Sequence, residues 1–510
     1  MSFDSLRSLG TSLLVFLLLP AIAAAQTNPA AQAARQWRQQ HERAIVNEFV
    51  TLLAVPNVSS DKPNIQRNAE LIAKMVEARG LTAKLVSVPG GNPVVVTQIR
   101  TAGATRTIGL YAHYDGQPLD PNEWASPPFE PTLRDGALED GGKTMPLPGA
   151  GSTFNPEWRL YARGAGDDKA PIVATLTALD AIRASGIRMK SNITLAFEGE
   201  EEMNSPNLEK TFAANKDLFA ADVWLLCDGP VFQNRQQSLI FGARGVMTFD
   251  VTLFGARTEL HSGHYGNWAP NPALELARLV SSMKDAKGHV VIPGFYDQVA
   301  PLTSAERRAI ADTPQVDAQL MRDFWLGATD EAPATLYELI THPSLNIRGM
   351  ASSRVGAQAS NVIPSTATAT LDIRLVKGMD VKRTQQLVRD YIRQQGFYVT
   401  DRDPTADERR MHAKVARLVF GTGSEARRTS MELPIAQEVI RTVESARGPV
   451  VKVPTSGATV PLEAFERPLG ATTIMVPMAN HDDNQHTFNE NLRIQNLWDG
   501  IEMMAALLTM

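Results

Sequence analysis

Two textures of apolar and polar positions alternate along the chain. "AAQAARQWRQQHERAIVNEFVTLLAV" spaces its apolar residues at helical intervals until Pro56 and "NVSSDKPN" stop it, and "IQRNAELIAKMVEARG" predicts a second helix ending at Gly80. "TAKLVSV", "PVVVTQI" and "TIGLYA" then read as strands, followed by a helix from Ala170 to about Ala184 and the strands "NITLAF" and "VWLLC". Strands rich in Val, Ile and Leu, alternating with amphipathic helices, predict an α/β sheet covered by helices. In such sheets ligand sites collect beyond the carboxyl ends of strands.

Near residue 240 the pattern changes. "GVMTFDVTLFG" alternates like a strand with one open face, and "NPALELARLVSSMKDAKG" is helical. "NVIPSTATATLDIRLV" reads as a further half-exposed strand region, before the helix "DVKRTQQLVRDYIRQQG" and the strand "FYVT". This is the signature of a compact α+β unit, with an irregular segment from about His289 to Leu345. The α/β texture returns with "ELPIAQEVIRTVESARG" and "GATTIMVPM", and the last helix is predicted in "LRIQNLWDGIEMMAALLTM". The organisation expected is an α/β domain in two parts, 26–239 and 411–510, interrupted by an inserted domain over 240–410.

A length of 510 residues agrees, being too much for one ordinary core. With 43% hydrophobic and 21% charged residues the composition is that of a soluble globular protein, and a net charge of −5 offers no basic footprint for nucleic acid. Arg7 precedes the apolar "SLLVFLLLPAIAAAQ", which ends in Ala23 to Ala25. That layout predicts a cleavable leader over 1–25, too short in its apolar core for a membrane span, and hence a secreted or periplasmic protein with no stable membrane insertion after cleavage. Cys227 is the sole cysteine, which excludes an intramolecular disulfide and a thiolate metal site.

His and acidic residues gather where the strand-like runs of the α/β domain end. His113 and Asp115 follow "LYA"; Asp167 and Asp168 lie in "RGAGDDKAP"; Glu198 and Glu200 to Glu202 lie in "AFEGEEEMNS"; Asp228 lies in "LLCDGP". "NHDDNQHTFNE", with His481, Asp482, Asp483 and His486, follows "TIMVP". Each has an ordinary reading by itself: a chance His-x-Asp, a helix cap at Asp168, a solvated acidic turn, a turn start at Asp228. Charges at a core edge are costly unless paired or bound to a cation. Their shared position, with His, Asp and Glu but no Cys, points to a hard-to-borderline cation such as zinc.

These stretches, with "HYDGQP", "ELHSGHYG", "NVIP" and "LDIRLV", make the chain resemble the di-zinc metallopeptidases that include carnosinases, cytosolic non-specific dipeptidase, aminoacylase, bacterial carboxypeptidase G and succinyl-diaminopimelate desuccinylase. The carnosinase-like dipeptidase branch is the most similar. The resemblance implies a zinc-peptidase-type α/β catalytic domain interrupted by an α+β lid and dimerisation domain, and a homodimer formed through that insert. It implies two zinc ions per subunit, with manganese or cobalt as alternatives. His113 and Asp228 would hold one, Glu202 and His486 the other, and Asp167 both. It further implies Glu201 as general base and Asp115 as its support, with His261 stabilising the oxyanion, often from across a dimer. Arg374, Asn361, Thr459 and Gly457 would lie around the substrate carboxylate.

The activity expected is hydrolysis of small peptides, as a dipeptidase or other exopeptidase. The alternatives are an N-acyl amino acid amidohydrolase and, more remotely, an inactive periplasmic homologue that only binds ligand. No G-x-S-x-G elbow supports a serine hydrolase. Asn204 stands where relatives commonly have Gly, at a position Asn tolerates. Two extra segments, near 137–157 and 289–345, are expected to shape the substrate entrance.

Overall fold

Burial with a period of two decides the layers of the main sheet. In the strand Thr107–His113, Ile108, Leu110 and Ala112 join one core while Tyr111 joins another; in Val223–Leu226 the division is Val223 and Leu225 against Trp224 and Leu226. Both faces are therefore covered, as the apolar runs require. The helices Pro29–Leu53, Lys169–Ser185, Pro434–Arg447 and Ile494–Leu508 cover the first face, and Leu208–Ala214 with Leu462–Leu469 the second. This computed structural model describes residues 28–149 and 151–510, so the predicted leader over 1–25 lies outside the described residues.

The main sheet has eight strands, in the order Lys84–Val86, Val94–Ile99, Asn192–Glu198, Thr107–His113, Val223–Leu226, Thr472–Met475, Ser238–Ile240 and Val451–Val453. The four from Asn192–Glu198 to Thr472–Met475 are mutually parallel, so their carboxyl ends share one edge. A second sheet has five strands, in the order Ser344–Ala351, Thr366–Leu375, Gly245–Phe254, Val415–Phe420 and Tyr398–Thr400. Met247, Phe249, Val251 and Leu253 face its helices and a separate core, while Asp250 stays exposed. The mixed α/β architecture with an α+β insert is thus the one the patterning predicts.

Three expectations change. The border expected at 410 falls too early, because Val415–Phe420 pairs along Gly245–Phe254 and belongs to the inserted sheet. Its alternation was hidden by Val419 and Phe420, apolar residues left partly open at the sheet surface. The segment read as irregular from His289 to Leu345 contains the short helices Ser304–Ala311, Asp317–Asp323 and Leu336–Leu339, two of them started by Thr–Glu capping boxes. Asp168 precedes the helix Lys169–Ser185 but makes no side-chain cap; its carboxylate instead accepts from the His113 amide at 3.2 Å.

Candidate metal centre

The parallel edge gathers the candidates. His113 ends its strand, Glu201 and Glu202 follow Asn192–Glu198 in a single 3-10 turn, and Asp228 follows Val223–Leu226. Asp167 and His486 reach the same edge through a small sheet. There Arg159–Tyr161, just before Asp167, pairs antiparallel with Asn491–Arg493, just after His486. Residues more than 300 positions apart in sequence are thereby held on adjacent loops.

The side chains converge as two groups that share one carboxylate. His113, Asp167 and Asp228 place ligand atoms within 4.8 Å of one another, as do Asp167, Glu202 and His486. The Asp167 carboxylate lies 2.8 Å from His113 Nε2 by one oxygen and 3.1 Å from His486 Nε2 by the other. His486 Nε2 is also 3.2 Å from Glu202, and Glu201 approaches His113 Nε2 at 3.9 Å. His113 and Asp115 are fully buried, whereas the His486 side chain is 54% exposed, so the centre opens at the His486 side. A cavity of about 370 Å³ lies there, bounded among others by Leu119, Trp124, Arg163 and Phe488. His481 stays out of both groups.

So much buried carboxylate without a matching cation is electrostatically costly. Burial, followed by the charge of Asp167, pushes Glu202 up to about 8 and Asp228 up to about 6. Burial also raises Glu201, with the neighbouring carboxylates adding to it against the pull of His113. Burial would raise Asp167 too, but hydrogen bonds from His113 and His486 hold it low. The hydrogen bond to Asp167 carries His486 up to about 9. Among the described residues no lysine or arginine pairs with Asp167, Glu202 or Asp228. Two imidazoles and three carboxylates, without thiolate, fit a pair of borderline divalent cations.

Supporting contacts fix the geometry. Asp115 accepts from the backbone amides of Glu201 and Glu202, both at 3.1 Å, and from Ser59 Oγ at 2.6 Å. Tyr114, between the two site residues, points into packing: its hydroxyl donates to the Pro93 carbonyl and its ring fills the space a side chain at Gly199 would need. Asn204 adopts the left-handed backbone (φ 65°, ψ 35°) that ends the acidic turn. Glu490, wholly buried, accepts from the amides of Gly164, Gly166 and Asp167 and from Arg163 Nη1, and Arg163 in turn donates to the Thr487 carbonyl. This carboxylate ties the Asp167 loop to the His486 loop.

Several of these residues escaped the sequence reading. Gln117 donates to Glu202 at 2.7 Å and Gln485 to Asp167 at 2.7 Å. Both sit inside the quoted motifs, but an uncharged amide gives no signal of its own. Ser59 carries no signal either, since only tertiary packing brings it to Asp115. Of the extra segment near 137–157, Glu139 accepts from Asn484 in the His486 loop, so part of that segment braces the centre.

The remaining predicted residues do not join the metal groups. Arg374 donates to Thr459 Oγ1 at 3.1 Å, in a cluster where the inserted sheet meets the loop containing Gly457. His261 pairs across a two-stranded ladder with Val362, next to Asn361, whose carbonyl accepts from Ser262. His261 is exposed, and its ring contact is with His264.

A family model described as Peptidase family M20/M25/M40 matches residues 109–510, which include the whole centre. The chain belongs to this family. Cys-Gly metallodipeptidase dug1 of Schizosaccharomyces pombe is 26% identical across 90% of this chain and 94% of its own length. Beta-Ala-His dipeptidase of Homo sapiens is 27% identical across 81% of this chain and 76% of its own. Of solved structures, the M20 family metallo-carboxypeptidase Sso-CP2 from Sulfolobus solfataricus superimposes with a TM-score of 0.74 at 26% identity, covering 91% of this chain and 98% of that one. Human carnosine dipeptidase 1 has the same fold, with a TM-score of 0.72 at 22% identity over 94% and 99% of the two chains. This M20 peptidase is therefore a hydrolase of a metal-dependent family, and the carnosinase-like resemblance of its motifs holds.

Proposed function

We propose that this M20 peptidase hydrolyses the amide bond of dipeptides or other small peptides with a free carboxyl terminus, using two zinc ions held as the shared-Asp167 geometry suggests. The observation that carries this reading is the pair of His–carboxylate groups joined at Asp167, with Glu201 beside them. Divalent cations bound there supply Lewis acidity toward the scissile carbonyl and lower the pKa of water. Glu201 is the general base: it takes the proton of the attacking water and returns it to the leaving nitrogen. Asp115 holds the backbone beneath Glu201 and Glu202, keeping base and ligand in register. Arg374 and Thr459 receive the substrate carboxylate. His261 stabilises the oxyanion from a second copy of the chain, a reading supported by its exposure and by its absence from both ligand groups.

Chelation should abolish hydrolysis of a dipeptide panel and zinc should restore it; hydrolysis surviving complete metal removal would sink the proposal. Glu201→Gln should bind zinc with the wild-type stoichiometry yet turn over roughly 10²–10⁴-fold more slowly. N-acyl amino acids, run in the same panel, separate the peptidase from the deacylase reading. The apolar leader supports export, and amino-terminal sequencing of the mature protein from the periplasm or medium should find a start near residue 26. No helix of the described residues is long and apolar enough to cross a membrane.

A further inference from the structure

Beside Arg374 lies a second arginine that neither the motifs nor the proposed function uses. Arg244 belongs to the first crossing between the two domains and is only 7% exposed. Its Nη2 donates to Ser344 Oγ at 2.6 Å, and Ser344 stands directly opposite Arg374 in the inserted sheet. The Arg244 carbonyl accepts from Thr459 Oγ1 at 2.9 Å, the same hydroxyl that receives Arg374 Nη1 at 3.1 Å. Thr459 thus holds the Arg374 guanidinium and the Arg244 backbone together, while Ser344, opposite Arg374, holds the Arg244 guanidinium.

The charges in this nook do not balance. Asp372 pairs with Arg374 at 3.4 Å, and the described residues show no ion pair for Arg244. Two guanidinium groups then face one carboxylate, and Arg244 Nε is buried with no hydrogen-bond partner. Burial first, and then the charge of Arg374, draw the Arg244 guanidinium down to about 10, the direction expected when like charges are enclosed together. Retaining a buried, incompletely bonded cation beside another is costly unless an anion completes the set.

We infer that Arg244 and Arg374 form a two-arginine clamp for the carboxylate of the substrate's leaving residue, with Arg244 a specificity-determining partner of Arg374. This rests on the peptidase reading above and deepens it. A planar guanidinium suits bidentate capture of a carboxylate, and a neutral carboxamide in the same place leaves the surplus charge unmatched. The clamp joins the crossing segment at Arg244, the inserted sheet at Arg374 and the α/β-domain loop at Thr459. A bound carboxylate would therefore bridge the two domains.

The test compares kcat and KM for an Ala-Gly-type dipeptide and its carboxyl-terminal amide, with zinc loaded, in the wild type, Arg244→Met and Arg244→Lys. The wild type should favour the free carboxylate. In Arg244→Met the KM for the dipeptide should rise roughly ten- to a hundredfold, with a smaller change in kcat, and the preference over the amide should collapse. Arg244→Lys keeps the charge and guards against a folding defect, which thermal melting checks; it should fall between the two. An unchanged dipeptide-to-amide ratio in both folded variants overturns the clamp. Equal cleavage of dipeptide and amide by the wild type overturns it while leaving the peptidase reading in place. No cleavage of any dipeptide by the wild type overturns that reading and the clamp with it.

Discussion

Asp115 shows how much one side chain decides here. Its two oxygens accept from successive amides of the acidic turn and from Ser59, so the carboxylate sets where Glu201 and Glu202 point. Asp115→Asn keeps the size but substitutes an amide donor for one acceptor facing those donors. We expect a 10–100-fold loss of metal affinity or turnover, the range typical of partners that orient ligands, read by zinc titration and steady-state kinetics. Protonation supplies a second prediction at this scale. In the metal-free protein Asp228, Glu202 and His486 release their protons near 6, 8 and 9, in each case later than the isolated side chain. Cations need the deprotonated forms. Zinc affinity should therefore rise between about pH 6 and pH 9, and uptake should release protons, measurable by calorimetry in buffers of different ionisation enthalpy. Uptake without proton release would contradict the cluster as described.

Between elements, the centre depends on close approaches. In the strand that ends at His113, a Cβ on Gly109 would come 2.3 Å from the Trp224 ring of the neighbouring strand. Gly109→Ala should destabilise the fold by about 1–3 kcal/mol, as overpacking does, and be visible in chemical denaturation. Glu490 is the corresponding link between loops. Glu490→Gln leaves an amide against backbone donors and leaves Arg163 without its buried partner, which lies at 2.8 Å. We expect weaker metal binding together with a lower thermal midpoint; normal zinc affinity would show that the two loops hold their register without it. At this scale the sequence was readable where periodicity is strong. Thr107–His113 and Val223–Leu226 emerge from their apolar runs, and Gly245–Phe254 from its alternation. Val415–Phe420 was missed because partly exposed apolar residues at its end broke the pattern.

For the molecule as a whole, the two domains are joined by chain crossings that pair as Gly242–Ala243 with Arg427–Arg428. Arg428 there forms a buried ion pair at 2.8 Å with Glu306, on the helix Ser304–Ala311 that packs against the α/β-domain strand Val451–Val453; the two side chains are 6% and 5% exposed. Removing one partner of such a pair typically costs about 3–5 kcal/mol. Arg428→Ala should therefore lower stability by an amount of that order, and the double variant Arg428→Met, Glu306→Leu should regain much of it, as denaturant midpoints would show. Assembly is tested by mixing. His261→Ala and Glu201→Gln chains, each impaired alone, should recover activity when co-assembled if His261 serves a neighbouring copy; absence of recovery in a verified mixed dimer would place its role within one chain.

Local sequence was enough for the α/β class, the insertion and the inventory of ligand-type residues, because strand and helix periodicity and charge placement are properties of short segments. The acidic turn and the left-handed Asn204 are of the same kind. The resemblance implied Asp167 as common to both groups, but only tertiary structure brings it there, through Arg159–Tyr161 pairing with Asn491–Arg493 across more than 300 residues. It also decided the contacts of Ser59, Gln117, Gln485, Glu490 and Arg244. These are uncharged residues, or charges whose neighbours in sequence are not their neighbours in space, and hydrogen bonds and charge balance act through space.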